Sequence, residues 1–160
     1  MLVWPYVLLQ GFLCGSFSRV FEAKAPGVAR DALMVTIGVL LTMLLIYRLR
    51  LIRLDANFRA MLTAAIGGLA SVYLVTFLLG LFGIRMPWLH EGSWWAIGLS
   101  LYAVTCAAFN LVSDFDYIET AVDAGTPKRH EWYAAFGLLV ALIWIYLEVL
   151  RLLFHLRKRR

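Results

Sequence analysis

Long apolar runs separated by short polar segments dominate this chain. An α-helix of about 20 residues crosses a bilayer core of about 30 Å, and each run is long enough, or nearly so, to do this. No polar segment between the runs is long enough to form a second domain. The pattern therefore predicts an all-α fold, a single membrane domain over residues 1–160. This would be a polytopic integral membrane bundle of about five transmembrane helices, at about residues 3–21, 32–47, 58–82, 94–124 and 131–156.

The composition agrees with a membrane protein, since 62% of the residues are hydrophobic and only 16% are charged. Soluble domains carry roughly 25% charged residues. The net charge of +5 is compatible with nucleic-acid binding, but the basic residues flank apolar runs, where they meet lipid head groups. We therefore expect the lipid bilayer as the main partner, and no nucleic acid.

The clearest topological signal is a short loop that holds four arginines, between residues 48 and 59, against the single acid Asp55. By the positive-inside rule this loop is predicted to be cytoplasmic. Five full spans would then put the basic tail, residues 157–160, on the opposite side. Either the tail is an exception to the charge rule, or the last run does not cross the membrane completely.

Small residues recur at four-residue spacing in two of the runs. Such spacing lets membrane helices approach closely. The first run and the third run are therefore predicted to pack against other helices through Gly11 and Gly15, and through Ala60, Ala64 and Gly68.

The most acidic stretch next to an apolar run is N-L-V-S-D-F-D-Y-I-E, at residues 110–119. Asp114, Asp116 and Glu119 lie at or just inside the end of a membrane-length helix. An ionised carboxylate is costly in hydrocarbon, so each must face protein, a water-filled cavity or the interface. Asp116 and Glu119 fall mostly on other helix faces than Asp114, and we interpret them as solvated helix-end charges.

Asp114 shares one helical face with Asn110 and with the small residues Ala103 and Ala107. A narrow path that leads to a carboxylate would have this pattern, and so would a tight helix contact whose aspartate reaches water. Both interpretations stay open.

Sequence motifs for catalysis are absent. The chain has no G-x-S-x-G and no phosphate-binding loop, and His90-Glu91 lacks the second histidine of a zinc-protease motif. The two cysteines lie inside apolar runs without metal-ligand spacing. We expect no enzyme, no cofactor and no resident metal. In the last run, Glu148 and Arg151 are predicted to form a local pair.

Three separated segments carry a resemblance to a known family: residues 110–119, G-T-P-K-R-H-E-W-Y-A-A-F-G-L-L-V at 125–140, and I-Y-L-E-V-L-R-L-L at 145–153. Together they resemble the bacterial Bax inhibitor-1/YccA family, over essentially the whole chain. The resemblance implies seven membrane helices around a central last helix, of which this chain is expected to supply the last five. It also implies the bacterial cytoplasmic (inner) membrane.

The resemblance further implies a pH-sensitive calcium leak, in which two aspartates on the last two helices share a proton and gate the path. The first aspartate matches Asp114. The second position is Ala141 here, and Glu148 lies two turns further along the same face as a displaced candidate partner. The candidate ion path and pH sensor therefore comprises Asp114, Glu148, Asp116 and Asn110, with transient calcium binding at Asp114 through hard oxygen ligands.

A second functional hypothesis also follows from the resemblance, which implies a role for relatives in modulating other membrane complexes. The missing second aspartate favours this hypothesis. The protein would then be a membrane interaction protein that acts on a partner such as a membrane protease, without transporting an ion itself.

Overall fold

The computed structural model describes residues 3–52, 54–83 and 93–159. Arg53 and His90-Glu91 lie outside the described residues. The described residues form five α-helices and no strand, which confirms the predicted all-α bundle. The helices are α1 (Val3–Lys24), α2 (Val28–Arg48), α3 (Ala56–Leu81), α4 (Trp94–Asp123) and α5 (Arg129–Arg159).

Four of these helices, α2 to α5, are long and apolar enough to cross a membrane by length and composition. The 22-residue α1 is long enough, but its apolar run is interrupted by Gln10, Ser18 and Arg19. Five helices were therefore predicted correctly, and four of them meet both requirements for a span.

Helix α2 begins at Val28, four residues before the start predicted from its apolar run. It follows Gly27, whose φ of 81° lies in the left-handed region that favours glycine. The carboxylate of Glu22, at the end of α1, accepts hydrogen bonds from the backbone N–H groups of Gly27 (2.6 Å) and Ala29 (3.0 Å). This cap satisfies backbone donors that a helix start otherwise leaves unpaired.

Helices α4 and α5 together form the centre of the described bundle, so a central position of the last helix alone stays a prediction. Helix α4 packs against α5, α2 and α3, and helix α5 packs against α4, α2 and α1. The hydroxyl of Tyr73 on α3 reaches it through Glu148. The buried apolar core joins α2, α4 and α5, and consists of Val28, Ala32, Ala107, Leu111, Phe115, Ala141, Ile145, Val149 and Leu150.

The last helix runs the full length of the described bundle. Near its C-terminal end, Arg157 donates a hydrogen bond to the Pro26 carbonyl and pairs with Asp31, at the α1–α2 turn. The loop between α2 and α3 lies at the other end, where Arg50 is 3.8 Å from Glu119. The arginine-rich loop and the basic tail therefore lie at opposite ends of the described bundle.

The predicted packing role of the small residues is wrong for contacts within the described chain. Gly11, Gly15, Ala60, Ala64 and Gly68 are all exposed. A β-carbon at any of the three glycines would meet nothing within 4 Å.

Other side chains on the same two helices make the contacts instead. Helix α3 turns Leu62 and Leu69 inward, seven residues apart on one face, and both are buried. On α1, the Ser18 hydroxyl lies 2.8 Å from that of Tyr146, and Phe21 packs edge-on against Phe154 of α5. Because lipid tails are as apolar as leucine, the spacing of small residues alone does not determine which face of a helix packs inward.

Candidate functional site

Asp114 lies at the interface between α4 and α5. Its side chain is half-buried and faces Gly137, where a β-carbon would stand 3.7 Å from the Asp114 Oδ1 atom. Since residue 137 has no side chain, the backbone of α5 comes close to the carboxylate. Two helices therefore meet at the residue that the sequence singled out.

Asn110 lies one turn before Asp114, as its spacing predicted, and its amide nitrogen is 3.5 Å from Asp114 Oδ2. This distance is at the limit for a hydrogen bond, so the interaction is weak. No Lys, Arg or His of the described chain lies within ion-pair distance of Asp114. The carboxylate thus has an amide neighbour but no cationic one among the described residues.

The small residues that precede Asp114 on this face form a tight helix contact. Ala103 and Ala107 have no exposed surface, and Ala107 belongs to the core with Ala141 of α5. Of the two interpretations left open by the spacing, the structure favours close packing over a path for this part of the face. Only the Asp114 end is partly accessible.

Asp116 has a partner of its own, and its predicted place on an ion path stays a prediction. Its carboxylate is paired with Arg59 of α3. Similarly, Glu119 accepts a hydrogen bond from the Tyr47 hydroxyl of α2. These two acids therefore tie the end of α4 to its neighbours, whereas the sequence indicated solvated charges.

A crevice of about 610 Å³ opens at this end of the bundle, between the end of α2, the α2–α3 loop and α4. Four carboxylates line it together with Arg50: those of Asp55, Asp116, Glu119 and Asp123. Across the described ranges, no three His, Cys, Asp or Glu side chains are arranged to hold a metal ion. The crevice is acidic, but its carboxylates do not form a coordination site.

Glu148 is not a displaced partner of Asp114, and that prediction is wrong. It lies eleven residues beyond Gly137 on α5, which corresponds to about 16 Å along the helix axis. Ala141, between them, is a buried core residue. Among the described residues, Asp114 therefore faces Gly137 of α5 and does not pair with Glu148.

Glu148 belongs to a separate polar cluster with Tyr73 and Arg151. Glu148 is only 3% exposed; its carboxylate accepts a hydrogen bond from the Tyr73 hydroxyl at 2.9 Å and lies 3.6 Å from Arg151 Nη1. The same Nη1 atom donates to the Tyr73 oxygen at 3.0 Å. The sequence predicted the Glu148–Arg151 pair but not Tyr73, because a tyrosine inside an apolar run gives no sign of its partner.

The described helices pack into one bundle, and four of them have the length and apolarity of membrane spans, which defines a multi-pass integral membrane protein. The chain belongs to the Bax inhibitor 1 like family, whose model matches residues 1–158. This match confirms the family that the sequence motifs indicated. Comparison with curated proteins and with solved structures finds no match.

Proposed function

We propose that the protein is a pH-sensitive cation leak or a regulator of ion homeostasis, with calcium as the ion, in the bacterial cytoplasmic membrane. The observation that supports this most directly is the half-buried Asp114 between α4 and α5, with no cation of the described chain beside it. The mechanism needs no covalent chemistry, and we propose that the protein is not an enzyme.

The physical basis is the change of charge at Asp114. A protonated side chain is neutral and fits against the Gly137 backbone without an ionic partner. An ionised carboxylate in the same position is costly in a membrane unless a cation or water approaches it. Carboxylate oxygens are hard ligands of the kind that calcium prefers. Loss of the proton would therefore open the α4–α5 contact to a cation.

Ala141 makes the proposed gate simpler than the two-aspartate gate that the resemblance implied. With one carboxylate in the interface, a single proton governs the change. We therefore expect the dependence of the leak on pH to follow a one-proton titration, without the steeper or two-step response of coupled carboxylates.

The test is calcium flux into proteoliposomes with a dye inside, from about pH 6 to about pH 8, for the wild-type chain, Asp114→Asn and Asp116→Asn. The last variant is a matched control, because it makes the same substitution two residues away. Its ion pair with Arg59 is partly exposed and is worth about 1 kcal/mol or less. We expect Asp114→Asn to lose the pH dependence and Asp116→Asn to keep it. A wild-type chain without flux, or an unchanged pH profile in Asp114→Asn, would contradict the proposal.

A second proposed function is that of a membrane interaction protein that modulates another complex, such as a membrane protease. The exposed face of α3 that carries Ala60, Ala64 and Gly68 favours it. Small residues at this spacing allow a helix of another protein to approach closely.

This alternative is tested by co-purification from native membranes. Ala64→Leu and Gly68→Leu should remove a partner that packs on this face. Ala70→Leu is the control, because Ala70 is exposed on a different face of α3. Equal recovery of the partner with all three variants would exclude this face as the interface.

A further inference from the structure

A crevice of about 830 Å³ lies at the other end of the bundle, where the C-terminal part of α5 meets the ends of α1 and α3 and the start of α4. Helices α1 and α3 do not pack against each other in the described part of the chain, and the crevice separates them. Its volume is in the range of about 300–1,000 Å³ that is usual for ligand pockets. It is distinct from Asp114, which faces the opposite half of α5.

The walls of this crevice are mainly apolar, with Phe21 from α1, Phe77 and Leu81 from α3, Leu99 from α4 and Phe154 from α5. Three basic side chains interrupt these walls: Lys24, Arg151 and His155. They differ in depth, because His155 is buried, the Arg151 side chain is partly exposed and Lys24, the last residue of α1, is exposed. The described lining contains no carboxylate.

The nearby acids do not cancel this positive charge completely. Glu22 turns its carboxylate to the backbone of Gly27 and Ala29. Glu148 lies beside Arg151, but the polar contacts of Arg151 with described residues use only Nη1. A guanidinium has five N–H donors, so further donors remain for a ligand. Lys24 is exposed and has no ion pair with a described residue.

We propose that this crevice binds an anionic phospholipid. An acidic head group satisfies Lys24 and the remaining donors of Arg151, while the acyl chains cover the phenylalanine and leucine walls. A small polar anion would leave those walls uncovered, and a zwitterionic lipid would bring a second positive charge to a basic site. Basic pockets between membrane helices are known to bind anionic lipid head groups.

The experiment is native mass spectrometry of the full chain in a neutral detergent, titrated with phosphatidylglycerol or with phosphatidylcholine of the same acyl chains. We expect the wild-type chain to retain phosphatidylglycerol preferentially. Lys24→Gln should weaken its retention about fivefold, which corresponds to the loss of one basic contact at a membrane surface. Lys158→Gln is the matched control, because Lys158 is exposed at the same end but does not line the crevice.

A double variant, Glu148→Gln with Arg151→Gln, removes the deeper contact without leaving a buried carboxylate unpaired. Added to Lys24→Gln, it should abolish the preference for phosphatidylglycerol. Equal retention of the two lipids by the wild-type chain would overturn the proposal. If Lys158→Gln weakened the retention of phosphatidylglycerol as much as Lys24→Gln, the proposal would also be overturned, because binding would then depend on general surface charge. None of these variants touches Asp114, so the outcome is independent of the proposed leak.

Discussion

The Oδ1 atom of Asp114 lies 3.7 Å from the point where a β-carbon of residue 137 would stand, so the backbone of α5 covers one side of a carboxylate on α4. This distance is an ordinary van der Waals separation. The contact therefore has room for one methyl group at residue 137, but not for a longer side chain. The volume at Gly137 sets how closely the two helices meet at the candidate gate.

We predict that Gly137→Ala keeps the fold, with a change in unfolding free energy of about 1 kcal/mol or less, because alanine gains helix propensity and its methyl group fits. In contrast, Gly137→Leu should collide with Asp114 and destabilise the bundle by about 1–3 kcal/mol. Reversible unfolding in detergent measures both changes.

The control for this prediction is Gly98→Leu. Gly98 is an exposed glycine within α4, and a β-carbon there would meet nothing within 4 Å. Leucine at this position should therefore be tolerated. If Gly137→Leu were as stable as Gly98→Leu, the two helices would not be in close contact at Asp114.

The folded state should depend on Arg151 for part of its stability, because Arg151 stabilises the ionised form of the buried Glu148. Arg151→Gln leaves an almost fully buried carboxylate with Tyr73 as its hydrogen-bond donor. We expect a loss of about 2 kcal/mol, less than for a fully buried pair because the Arg151 side chain is 42% exposed. Adding Glu148→Gln should recover much of the lost unfolding free energy. A double-mutant cycle measures the coupling between the two residues.

Arg50→Gln provides the comparison for this cycle. Its partner Glu119 is 3.8 Å away, and both side chains are largely in solvent, at 87% and 50% exposed. Removal of such a surface pair should cost about 0.5 kcal/mol or less. Additive effects of Glu148→Gln and Arg151→Gln would show that the buried pair is not coupled.

The cap at the start of α2 predicts a dependence of stability on pH. Hydrogen bonds from the backbone N–H groups of Gly27 and then Ala29 hold the pKa of Glu22 below its ordinary value of 4.5. A carboxyl group with a lowered pKa in the folded state stabilises the fold above its unfolded pKa, and that stabilisation is lost as the pH falls through the folded pKa. The cap should therefore act fully near pH 6 and weaken below about pH 4.5.

Thermal unfolding from about pH 6 to about pH 3 tests this prediction. The wild-type chain should be more stable than Glu22→Gln near pH 6, and the difference should shrink towards pH 3. Glu22→Asp distinguishes the effect of the carboxylate charge from the effect of its position. It keeps the charge, but its shorter side chain does not reach both N–H groups. Parallel curves for the wild type and Glu22→Gln over the whole range would contradict the assignment.

The five helices were predictable because apolar runs of membrane length have few alternatives. In lipid, each backbone donor and acceptor must be satisfied within the segment, and an α-helix does this. The start of α2 was missed by four residues for a local reason. Its apolar run begins at Ala32, whereas the helix begins where Gly27 turns and Glu22 caps the exposed N–H groups.

The partners of the polar residues were not predictable in the same way. The spacing placed Asn110 next to Asp114, since both lie on one helix face. It did not indicate that Asp116 would meet Arg59, or that Glu148 would meet Tyr73, because those pairs join different helices. Such pairings depend on the rotation and tilt of each helix, which the packing of the whole bundle determines.

The sequence by itself determined the class of protein, the number and approximate limits of the helices, the family, and the position of Asp114 near the end of a span. These properties follow from local hydrophobicity, helix geometry and short motifs. Only the tertiary structure decided that Asp114 faces Gly137, that Glu148 lies far from it, and that the small-residue faces of α1 and α3 point outward. The physical reason is that apolar helix faces differ little in their preference for lipid, so side-chain packing between helices selects the faces that meet.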